Sequence, residues 1–172
     1  MRINLSTTRS AGFTIALLFL TACHFKQSPV ALDLSPVGQE IRRQGYHVKA
    51  SSAASPTEWE VATFRMRSKR SFSFRADQPM ANTRDYYCRF SFFEETFDSV
   101  DDARNRLANI HVADPYGPAD ERDYLSRMRT GFRVGNVAYV MQTDAAMFWD
   151  EVERLNKTVA NLTPNAELVS SQ

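Results

Sequence analysis

Catalysis requires a nucleophile with a base, a set of metal-ligating side chains, or carboxylates held close together. The residues that supply the first two are scarce here: two cysteines, Cys23 and Cys88, and three histidines, His24, His47 and His111. No HExxH and no paired CxxC spacing occurs, so no metal site is expected. Cys88 lies in an aromatic stretch at 85–97 (DYYCRFSFFEETF), where two-residue alternation puts Tyr86, Phe90 and Phe92 on its own side of a strand. An apolar setting raises a thiol's pKa, so Cys88 reads as an inert core thiol. His111 falls near the expected end of a helix, where an imidazolium suits the dipole. The serines lack a GxSxG elbow, and Gly117, Gly131 and Gly135 form neither a phosphate loop nor a dinucleotide fingerprint. Neither an enzyme nor a cofactor is expected.

Charge and aromatic content point toward binding instead. Five cations, Arg65, Arg67, Lys69, Arg70 and Arg75, are expected around a first hairpin, projecting from one end of a sheet. Such a cluster suits an acidic protein, a phosphate-bearing headgroup or lipopolysaccharide, and equally a solvated hairpin whose charges discourage edge pairing. Glu94, Glu95, Asp98, Asp101 and Asp102 bunch where a helix is expected to start, and acidic groups favour that end of the dipole. The chain has 12 Phe, 6 Tyr and 2 Trp. In the aromatic stretch Phe90 and Phe92 take one face, Tyr87 and Phe93 the other. If helices cover one face only, Tyr87 and Phe93 are left partly exposed beside arginines, a composition typical of protein interfaces. If both faces are covered, they are core. The candidate binding residues are therefore Arg65, Arg67, Lys69, Arg70, Tyr87 and Phe93.

The elements that position these residues follow from caps and periods. Ser35-Pro36 starts a helix that Gly45 ends, with Val37 and Ile41 inward. Residues 49–57, rich in Ser and Ala, read as a loop. Residues 58–67, 71–76 and 85–97 read as strands, the first two joined by a tight turn at Ser68-Lys69-Arg70. Ser99 caps a helix that carries Val100, Ala103, Leu107 and Ile110 and ends near His111. Residues 113–120 (ADPYGPAD) form a loop, followed by a short helix near 120–127 with Tyr124 and Met128 inward. Gly135-Asn136 turns a hairpin between 132–134 and 137–142. Asp144 then caps a final helix whose stripe is Phe148, Val152, Leu155, Val159 and Leu162, stopped by Thr163-Pro164. The order implies an α+β domain at 35–164: a largely antiparallel sheet of about five strands with helices on one face, two layers in all. Residues 165–172 read as a loose tail.

The start of the chain is more specific. Arg2 and Arg9 precede an apolar stretch at 11–20, and small residues follow at Thr21-Ala22, the layout of a secretory signal peptide at 1–22. The stretch is far shorter than the roughly 20 residues a membrane-spanning helix needs. Leu20-Thr21-Ala22-Cys23 resembles the lipobox of bacterial lipoproteins. That resemblance implies cleavage before Cys23, acyl chains on its thiol and amino terminus, and a membrane anchor followed by a tether at 23–34. His24 in place of Asp after the cysteine implies the outer membrane, periplasmic face. Cleavage removes two of 21 basic residues and leaves 20 acidic ones, a balance that offers no handle for nucleic acid. With Cys23 acylated, only Cys88 remains and no intrachain disulfide is expected. The expected function is a lipid-anchored, periplasm-facing binding module with a protein partner, such as an immunity or inhibitor protein against a periplasmic effector. The alternatives are a structural or assembly lipoprotein of an outer-membrane complex, and a small-ligand carrier or enzyme using a pocket between sheet and helices.

Overall fold

The computed structural model describes residues 33–112 and 128–168. The signal segment, Cys23, nearly all of the tether and the expected helix near 120–127 lie outside these residues.

Helix α1, Pro36–Arg43, forms as its caps dictate. Ser35 Oγ accepts from the Gly38 amide at 3.1 Å, Pro36 takes the first turn, and Gly45 leaves the helix at φ +87°. The next stretch departs from the expectation. Residues read as a loop form strand β1, Tyr46–Ala54, and residues read as a strand form helix α2, Glu58–Phe64. The capping box decides the second case: the Glu60 amide donates to Thr57 Oγ1 at 3.1 Å, and the Thr57 amide donates to Glu60 Oε2 at 2.9 Å. Two reciprocal bonds outweigh the weak strand propensity of EWEVATF. Arg65, at φ +53°, ends α2, and β2 then runs unbroken over Met66–Ala76. Ser68-Lys69-Arg70 is therefore mid-strand and makes no turn.

Strand β3 is Arg89–Phe97, a later start than expected, which leaves Tyr86 exposed outside the strand. Helix α3, Val100–Ala108, follows, its Asp102 amide donating to Ser99 Oγ at 3.1 Å. Strands β4, Arg129–Val134, and β5, Val137–Gln142, form the expected hairpin through Gly135-Asn136, with Gly135 at φ +58°. A 3-10 turn, Ala146–Phe148, leads into α4, Trp149–Leu162, which has no side-chain cap; Asp144 faces Arg89 at 3.6 Å instead. Glu167–Leu168, read as part of the tail, pairs with β4 as β6.

The sheet order is β1-β2-β3-β5-β4-β6, every pairing antiparallel. The α+β architecture is as expected, with six strands rather than about five. Its main layer of helices is α1 and α4. Val37, Ile41, Val152, Leu155 and Val159 from these helices share a cluster with Phe72, Phe74, Phe90, Phe92, Phe132 and Met141 from the sheet. The opposite face is divided. At one end α2 and α3 bury Phe64, Met66, Phe97, Ala103, Leu107 and Ile110 against Ala138 and Val140. Alternation along β3 and β5 makes this possible, since successive residues serve opposite faces.

The α3 layer sits close to the sheet at Gly131. A Cβ there would meet the Tyr139 carbonyl oxygen at 2.6 Å and Leu107 Cδ2 at 3.1 Å. Gly131→Ala is expected to destabilise the fold by roughly 1–3 kcal/mol, read as a lower midpoint of urea unfolding; an unchanged midpoint would contradict this packing.

Candidate functional site

The basic and acidic bunches of the sequence prove to be one another's partners. In the β2–β3 register Lys69 lies opposite Glu95 and Arg70 opposite Glu94. Neighbouring residues in a strand point to opposite faces, so the two pairs part company. On the second face Lys69 Nζ lies 2.6 Å from Glu60 Oε1 and 4.0 Å from Glu95 Oε1, while Arg106 Nε donates to Glu95 Oε2 at 3.0 Å. Glu60, Glu95 and Arg106 are all buried. On the first face Arg70 Nε donates to Glu94 Oε2 at 2.8 Å, Ser35 Oγ donates to Glu94 Oε1, and Arg70 Nη1 donates to the Asp33 carbonyl at 3.1 Å. Arg67 pairs with Asp98.

The expected binding residues are thus not assembled into one patch. Arg67, Lys69 and Arg70 are neutralised within the fold. Phe93 packs against the α2–α3 cluster with the Lys69 ammonium 5.1 Å from its ring centroid. Arg65 is exposed at the end of α2. Tyr87 is half-buried, and the guanidinium carbon of Arg75 lies 4.2 Å from its ring centroid.

Past Phe93 and Val140, no described helix covers the second face. Two cross-strand rows lie there: Ser73, Ser91, Gln142 and Arg129, and beyond it His47, Arg75 and Arg89. A hollow of about 360 Å³ is lined by Ser73, Arg89, Phe90, Ser91, Gln142 and Asp144. Arg129 Nε donates to Gln142 Oε1 at 2.7 Å, and His47 pairs with Asp77. Hydroxyl, amide and guanidinium groups on a rigid sheet can hydrogen-bond a partner's polar and acidic groups. They provide no nucleophile with a base. Sequence reasoning passed over Ser73, Arg89, Ser91 and Gln142. The signal was present in SFSFR and RFSF, where every second residue is polar while the phenylalanines face the core.

A second cavity, an open cleft of about 380 Å³, lies between the sheet and the main helical layer, lined by Gly45, Tyr46, Pro79, Met80, Cys88 and Glu151 among others. Tyr46 Oη donates to Glu151 Oε1 at 2.8 Å, and Arg154 Nη2 donates to the same oxygen at 2.6 Å. Burial pushes the Cys88 thiol up to about 12, helped by the Glu151 carboxylate, so it is protonated at neutral pH. Burial, followed by its hydrogen bond to Glu151, also raises the Tyr46 phenol. Burial works against ionisation of Glu151, but hydrogen bonds from Arg154 and Tyr46 outweigh it and hold that carboxyl below its ordinary range. No histidine lines the cleft. The thiol there is a core group, as expected.

Two outcomes follow from these groups. Breaking the buried pair with Glu95→Gln strands Arg106, at a cost of about 3–5 kcal/mol in chemical unfolding, whereas joint replacement by Leu and Met recovers most of it; equal losses in the single and joint variants would show the pair is not coupled. The unfolded thiol ionises near its ordinary value of 9.0 while the folded one keeps its proton to about 12. The folded state therefore holds more protons in that window, and stability falls as pH rises from about 9 to about 12. Cys88→Ala should make that fall shallower, and an identical slope would refute the assignment.

No protein-family model, no curated protein and no solved structure matches this chain.

Proposed function

We propose that the protein is a lipid-anchored binding module at the periplasmic face of the outer membrane, which docks a protein partner through the half of the second sheet face that no described helix covers, and carries out no chemistry of its own. The observation that carries this reading is the pair of polar rows built on Ser73, Ser91 and Gln142 and on His47, Arg75 and Arg89, on strands whose opposite side packs against α1 and α4. Flat, rigid strands presenting hydrogen-bonding groups suit a preformed interface, because little side-chain freedom is lost on docking. The protonated thiol in the cleft supports the absence of nucleophilic chemistry. The Leu20-Thr21-Ala22-Cys23 motif supports the anchor, and two or three acyl chains hold a protein at a membrane far better than one. Neutralising a periplasmic effector is a task that suits a small tethered domain of this kind.

A second reading has its own observation. The cleft of about 380 Å³ between sheet and helices, with Pro79 and Met80 on its rim, offers a small-ligand carrier a place to hold cargo.

For the anchor, Cys23→Ala is expected to abolish incorporation of labelled fatty acid, and continued labelling of that variant would sink it. For the partner, pull-down from detergent-solubilised membranes should return one dominant protein that is lost with Ser73→Trp in the open face. Retention of many abundant envelope proteins would favour a structural role in an outer-membrane complex, and loss on filling the cleft with Ala76→Trp would favour the carrier.

A further inference from the structure

Pairing of the cations on the second strand leaves one of them conspicuous. Arg67 meets Asp98, Lys69 meets Glu60 and Glu95, and Arg70 meets Glu94. In the outer row His47 meets Asp77 and Arg89 meets Asp144. The side chain of Arg75, between them, meets no carboxylate and donates no hydrogen bond among the described residues; its guanidinium rests on the Tyr87 ring. It also stands directly opposite His47 on one side and Arg89 on the other. Arg75 and Arg89 are like charges facing each other across strands, an arrangement that opposes folding. The aromatic ring holds the guanidinium while leaving its N–H groups unmatched, and a guanidinium presents those groups in a fork that fits a carboxylate. Ser73 and Ser91, in the adjoining row, bring hydroxyls with no side-chain hydrogen bond among the described residues.

We infer that Arg75 is the specificity-determining residue of this face and takes a carboxylate of an acidic segment of the partner protein, with Arg89 and the Ser73 and Ser91 hydroxyls flanking it. The inference rests on the reading of the open face as a protein-docking surface. A protein is favoured over an anionic membrane surface because insertion needs apolar side chains beside the cations. Of the exposed large apolar groups among the described residues, Val61, Val100, Met147, Leu162 and Leu168 belong to the helices, the 3-10 turn and β6, and Tyr86 and Val112 lie outside the strands; none is a member of the two polar rows.

The test uses the full chain with Cys23→Ala, a dodecaglutamate peptide with dodecaglutamine as control, and vesicles of phosphatidylglycerol in phosphatidylcholine. Dodecaglutamate is expected to bind and dodecaglutamine not, with affinity falling at least about tenfold in Arg75→Gln and unchanged in Arg65→Gln. Arg75→Glu should abolish binding without lowering the unfolding temperature, since a carboxylate then stands between His47 and Arg89. Three results overturn the inference: no binding of dodecaglutamate, equal losses in Arg65→Gln and Arg75→Gln, or preferential binding of the vesicles. A partner whose capture survives Arg75→Gln but is lost with Ser73→Trp removes the role of Arg75 and leaves the docking face; capture that survives both removes the docking face itself.

Discussion

Two ion pairs side by side on the central strands hold the molecule's layers in register. Lys69 and Arg70 are consecutive on β2, as are Glu95 and Glu94 opposite them on β3. Because side chains alternate, one pair serves each face of the sheet. Glu94 takes the Ser35 hydroxyl as well as Arg70, and so fixes the start of α1 on the first face. Glu95 takes Arg106 from α3, while Lys69 reaches Glu60 on α2, and so the same register fixes both helices of the second face. A slip of one residue in either strand would turn that strand's two charges toward the wrong layers and send its two phenylalanines, Phe72 and Phe74 on β2 or Phe90 and Phe92 on β3, out of the core.

Charge of this kind is not the source of stability. Removing Glu95 and Arg106 from water costs each of them several kcal/mol, and their mutual attraction does little more than offset that. The aromatic core supplies the favourable term, with Phe74 and Phe92 fully buried and the rings of Phe74 and Phe90 stacked at 5.5 Å. What the pairs contribute is selection: an alternative packing that buried the same phenylalanines would leave carboxylates and guanidinium groups unmatched, a penalty the native register avoids.

The sequence disclosed elements with strong local signals. Ser35-Pro36, Ser99 with Asp102, the Gly135-Asn136 hairpin and the stripe of the last helix from Phe148 to Val159 are each specified by neighbouring residues, while Leu162, expected to end that stripe, is exposed in the helix's last turn. It misled where the deciding interaction was distant or where two local signals conflicted. Lys69-Arg70 resembles a solvated turn until Glu94 and Glu95, far along the chain, are known to lie opposite. EWEVATF has strand composition, and only its capping box with Thr57 marks it as a helix. The Ser- and Ala-rich β1 pairs through its backbone and carries little side-chain signal. The candidate site suffered in the same way: Arg67, Lys69 and Arg70 were grouped by sequence proximity, although strand geometry separates them, while Ser73, Arg89, Ser91 and Gln142 come together only through the pairing of three strands.

The division of the second face follows from the same geometry. Helices α2 and α3 are short and follow directly from the chain's passage into β2 and out of β3 at one end of the sheet, where Phe64, Phe97 and Leu107 give them an apolar floor. Toward the other end the alternate positions of β2 and β3 are Ser71, Ser73 and Arg75, and Ser91 and Arg89, which give a helix nothing apolar to bury. Two arginines opposite one another repel, and serine or threonine there would pair across strands without that cost. The residues on that half therefore depart from what stability alone selects, and departures of this sort are where function is to be sought. Because the opposite side of the same strands is locked by phenylalanine packing, a ligand meeting the open half would encounter side chains whose backbone cannot yield. Recognition there, as proposed, would depend on fit to a fixed arrangement rather than on rearrangement of the sheet.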